Sequence, residues 1–125
     1  MASGTIKNLN PYAYYNQSTA TGNTNNETDF TVSGNGFVYV SASIYTDITS
    51  DTGTVRTVIS AGGRTYAQNQ GTIDYARGYV IGSNASCMIP VSNGNVIKII
   101  LQCTKNGTKT MVHNLMCFGC TVTAQ

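Results

Sequence analysis

The chain has 125 residues, of which seven are Lys or Arg and five are Asp or Glu, for a formal charge of +2; ordinary domains are roughly one quarter charged. With no run of Lys or Arg it is not built to neutralise phosphates, so nucleic acid is not an expected partner. No stretch reaches the roughly 20 apolar residues of a membrane helix, so membrane insertion is not expected either.

Such a length suits one domain with one core. Solubility rests on Thr, Ser, Asn, Gln and Gly, a hydrated but uncharged surface that fits a particle or cell surface better than a metabolic enzyme. The opening Met1-Ala-Ser-Gly-Thr-Ile-Lys7 lacks the apolar centre of a secretory signal.

Residues 1–27 read as a polar N-terminal segment, with a tyrosine cluster (Tyr12, Tyr14, Tyr15) in a short strand and a loop over 17–26. Residues 28–125 read as the head domain. Its first strand, 30–45, is apolar on both faces: Val38, Val40, Ala42 and Ile44 point one way, and Phe37, Tyr39 and Tyr45 the other. One face suits a core; the other calls for a second partner, most economically another copy of the chain.

Turn signals then recur. Ser33-Gly34-Asn35-Gly36 precedes the first strand and Ser50-Asp51-Thr52-Gly53 closes the next loop. Ala61-Gly62-Gly63-Arg64 joins strands 55–60 and 65–68, Ser92-Asn93-Gly94-Asn95 joins 79–91 to 96–103, and Lys105-Asn106-Gly107-Thr108 leads into 109–122. β-branched residues and glycines dominate and no window keeps a helical period, which predicts seven to ten short antiparallel strands in a two-sheet sandwich. In the last strand Val112, Met116, Phe118, Cys120 and Val122 are expected on one face, and Met111, His113, Leu115 and Cys117 on the other.

The order of elements resembles the trimeric jelly-roll domains of the complement globular-head and tumour-necrosis-factor superfamily. The resemblance is carried by Phe30, Gly36, Phe37, Val38, Tyr39 and Val40, then by 89–99 with Asn95 where that family has Asp, and by the closing strand 116–122. The same pattern is similar to the head domains of phage tail fibres. The resemblance implies an all-β, antiparallel two-sheet jelly roll assembling as a homotrimer, with Phe37, Tyr39, Met111, His113 and Leu115 at the subunit contact. It also implies a non-enzymatic receptor-binding tip on a virion that meets a bacterial surface glycan or protein and other virion proteins. The alternatives are a capsid-decoration or fibre-capping protein of the same fold, and a bacterial extracellular domain of the complement-head type.

Chemistry-bearing residues are few. His113 sits between Met111 and Leu115, which favours a packed or interfacial imidazole over a nucleophile's base. The five carboxylates show neither a facing glycosidase pair nor calcium-loop spacing. Cys87, Cys103, Cys117 and Cys120 lie in apolar runs, where free buried thiols are expected ahead of a disulfide; a zinc site is disfavoured because extended residues three apart face opposite ways. No enzyme activity, metal or cofactor is therefore expected. Arg64, Tyr66, Asp74, Tyr75, Arg77 and Tyr79 place aromatic rings beside polar groups, a composition suited to sugars, and they are the predicted ligand residues; alternatively these tyrosines cover strand edges or the rim of a subunit contact.

Overall fold

The computed structural model describes residues 11–46, 53–73, 82–104 and 107–125, and these are all-β, with no helix among them. The strands are β1 (Tyr12–Thr21), β2 (Thr24–Thr46), β3 (Gly53–Ala61), β4 (Arg64–Ile73), β5 (Gly82–Val91), β6 (Val96–Cys103) and β7 (Thr108–Ala124). All pairings are antiparallel, and they form one sheet in the order β1-β7-β2-β6-β3-β4, with β5 on β2.

The 23-residue β2 organises the sheet. Residues 24–31 pair with β6, whereas 36–45 lie between β7 and β5. Its even-numbered side chains face inward throughout: Phe30, Val32, Val38, Val40, Ala42 and Ile44 are all buried. They meet Val55 and Ile59 of β3, Ile89 of β5, Ile97, Ile99 and Leu101 of β6, and Leu115 of β7 in a single core. Each such aliphatic side chain contributes about 1.5–3 kcal/mol when fully buried. Strand alternation thus predicts the inner face of β2 correctly.

Several local expectations change. Residues 17–26 are not a loop: β1 continues to Thr21, the chain reverses at Gly22 (φ +81°) and Asn23, and β2 begins at Thr24. Nor is Ser33-Gly34-Asn35-Gly36 a turn that precedes the strand, since β2 runs from Thr24 through it. It forms an irregularity inside β2, where the register with β7 shifts between Gly34 and Phe37. Here the backbones cross so closely that a Cβ on Gly36 would lie 1.9 Å from the Phe118 carbonyl oxygen. The 92–95 turn docks on this irregularity: Gly34 N donates to Asn93 Oδ1 at 2.9 Å and Asn93 N donates to Asn35 Oδ1 at 2.8 Å. The 61–64 hairpin is present as expected, with Ala61 opposite Arg64.

Across the same irregularity Gly119 adopts φ +80°, a conformation open to glycine, and β7 turns over. Met111, His113, Leu115 and Cys117 face inward before it, and Cys120 and Val122 face inward after it. The expected grouping of Cys120 and Val122 with Val112, Met116 and Phe118 is therefore corrected. Cys117 and Cys120, three apart, share the inner side of the sheet, which strict alternation forbids.

Candidate functional site

Among the predicted ligand residues, Arg64 and Tyr66 are brought together. The Arg64 guanidinium carbon lies 4.8 Å from the Tyr66 ring centroid, a cation–π contact. Tyr66 sits where the β3–β4 register shifts and packs partly against the core, so its ring is engaged by the chain itself instead of standing as an open platform. Asp74, Tyr75, Arg77 and Tyr79 lie outside the described residues.

The expected subunit-contact residues separate into two groups. Phe37 and Tyr39 project outward, 54% and 43% exposed. Met111, His113 and Leu115 project inward and are 3%, 3% and 0% exposed within the single chain, so they have no surface to offer a partner. The correction follows from strand parity: Ala42 pairs with His113 and Val40 with Leu115, and paired residues share a face, here that of the core. The opposite face of β7 carries Val112, Met116 and Phe118, all only partly buried.

The outer face of β7-β2-β5 carries two adjoining apolar rows. In one, Phe37 lies between Phe118 and Pro90; in the next, Tyr39 lies between Met116 and Met88, with Ala13 of β1 beyond Met116. Met88 is half exposed. Sequence reading found Phe37 and Tyr39 but missed Met88 and Pro90, because β5 and β2 are far apart in the chain and only the cross-strand register brings these residues together.

A second, polar surface lies on the outer face of β2-β6-β3-β4. The register sets Asn25, Gln102, Arg56 and Gln70 side by side across four strands. Gln102 Nε2 donates to Asn25 Oδ1 at 3.0 Å, and Arg56 approaches Gln102 Oε1 at 3.4 Å. Shallow depressions of about 350 and 320 Å³ adjoin Arg56 on its two sides, with Gln68 in one and Thr54 and Thr104 in the other. Further along, Lys98 pairs with Glu27 at 2.7 Å; the hydrogen bond to Glu27, and then the charges of Glu27 and Asp29, raise its pKa.

Three buried polar features serve the fold. Lys109 is fully buried and its ammonium donates to the carbonyls of Gly22 and Gly107, tying the β1–β2 turn to the start of β7. The His113 ring lies 5.9 Å from that of Phe30, its Nε2 has no hydrogen-bond partner among the described residues, and burial lowers its pKa. All four cysteines are free; desolvation, with Cys120 adding to it, pushes Cys117 up to about 12. Among the described residues no three His, Cys, Asp or Glu side chains gather in a metal-binding group, and no helix is long and apolar enough to cross a membrane.

The surfaces that distinguish this chain are thus an exposed apolar patch and an amide-and-guanidinium row on a continuous all-β sheet. Neither the scan against protein-family models nor the search of curated proteins gives a match.

Proposed function

We propose that the chain is a non-enzymatic receptor-binding head: a jelly-roll-type subunit that assembles as a homotrimer at the tip of a virion fibre and holds a bacterial surface glycan or protein. The observation that carries the reading is the apolar patch. Phe37, Tyr39 and Met88 are each more than 40% exposed on one face, while the inner face of the same strands is already filled. Large exposed apolar patches mark interaction surfaces, and a second and third copy of the chain supply the matching patch through rotational symmetry. Several weak sites on one tip then gain avidity from effective concentration.

Light scattering after size exclusion tests the assembly. Three chains per particle are expected, and replacement of Phe37 and Met88 by Glu should release folded monomers. A wild-type monomer at micromolar concentration would remove the main support. Binding of the fluorescent assembly to bacterial cells, weakened in the monomeric variant, tests the recognition role.

A further inference from the structure

We infer that the outer face of β2-β6-β3-β4, centred on Arg56, is a binding site for a glycan that carries a carboxylate. The inference deepens the receptor-binding reading above and rests on it, but moves the site away from Arg64 and Tyr66. Its starting point is Arg56. Lys98 is held by Glu27, Arg64 lies over Tyr66, and Lys109 is consumed by two carbonyls. Among the described residues Arg56 meets only the Gln102 amide oxygen, at 3.4 Å, and no carboxylate pairs with it. Most of its five donors are unused by the described residues, in the fork geometry that matches a carboxylate.

The surroundings define the class of ligand. Gln70 and Gln102 flank Arg56 on neighbouring strands, and Asn25 continues the row. Amides donate and accept, as sugar hydroxyls require. On the next row of the same face Ile100 is half-buried, leaving some apolar surface one pleat away from the guanidinium for the C–H face of a pyranose, while Val58 beside it is buried. The depressions are shallow and the row is carried by strand interiors, so the backbone positions of these residues are set by the ladder and the surface is open enough for a chain-like saccharide. An acidic peptide would satisfy Arg56 equally well, but would leave the amide row without its complement of hydroxyls.

The probe is trigalacturonate, added to the full chain with side-chain amide and arginine Nε signals followed by NMR. Millimolar binding is expected, with shifts at Arg56, Gln70 and Gln102, and the fully methyl-esterified trisaccharide should bind about tenfold more weakly or worse. Arg56→Gln should lose about the same factor towards the acid, Arg56→Lys should recover part of it, and Arg64→Gln should bind as wild type. Equal binding of acid and ester, an unaffected Arg56→Gln variant with native amide shifts, or equally tight binding of an acetylated Glu-Glu dipeptide would overturn the inference. A trimer that coats cells yet ignores the uronate removes this site alone. A monomer that binds the uronate through Arg56 leaves the site standing and removes the assembly reading.

Discussion

The hydroxyl of Thr57 on β3 donates to the Ser83 carbonyl oxygen on β5 at 3.0 Å, with both residues buried. Ser83 in turn donates its hydroxyl to the Asn69 carbonyl on β4 at 2.9 Å. β5 is joined by its ladder to β2, and pairs with neither β3 nor β4 in the strand order. These side-chain bonds therefore bring opposite regions of the sheet together over the core.

Thr57→Val keeps the shape of the side chain and leaves the buried Ser83 carbonyl without that donor. The expected cost is about 1–3 kcal/mol, read as a lower urea midpoint at unchanged slope. Stability equal to wild type would mean that this contact contributes nothing to closure.

Burial lowers the pKa of His113, so the folded chain prefers the neutral ring. At a pH below the ordinary histidine value of about 6.5 the unfolded chain takes up a proton that the native chain refuses. Stability should be level above that value and should fall as the pH drops from it towards the lowered folded value. Urea titrations from pH 7.5 to 5 should show this decline, and His113→Gln should flatten it. An equal slope in the variant would assign the decline to other groups.

Thiol chemistry should divide by position. Cys103, Cys117 and Cys120 are buried, and Cys117, pushed up to about 12, has almost no thiolate at neutral pH. Cys87 is only partly buried, although desolvation also raises its pKa. Native alkylation should label Cys87 slowly and first, with the remaining three reacting only in denaturant. Rapid native labelling of Cys117 would contradict its placement.

Gly36→Ala sets a methyl group against the Phe118 carbonyl, 1.9 Å away before relaxation, so the β2–β7 crossing must open. A loss of roughly 3 kcal/mol or more is expected, in the range of severe overpacking. Gly62→Ala is the comparison: it has open space around the new carbon and only an unfavourable φ of +59°, which costs about 1 kcal/mol. Thermal melts of the two variants should differ widely; similar melting temperatures would deny that the crossing is tight.

The sequence discloses what alternation and turn chemistry encode. Val38, Val40, Ala42 and Ile44 read directly as an inward row, and Ala61-Gly62-Gly63-Arg64 as a hairpin, because both signals are local. The start of β1 reads as a strand at its tyrosines, but its continuation to Thr21 was hidden because those residues are mostly polar and mostly exposed, which leaves no period to detect. Gly119 was hidden for another reason: a glycine in a strand does not announce its φ, and its turn reverses which of Cys117, Cys120 and Val122 share a face. The Arg56 row was invisible because Asn25, Arg56, Gln70 and Gln102 become neighbours only through the cross-strand register.

The position of β2 also orders events in time. Its partners β5, β6 and β7 all follow it in the chain, and β7 is the last strand. A nascent chain with β2 already made has no template on which to lay it, and only the β3–β4 hairpin is free to pair early. Such distant pairing makes folding slow and leaves an apolar strand waiting. During that wait, the alternating Phe37–Tyr45 segment is the part of the molecule most in need of a chaperone.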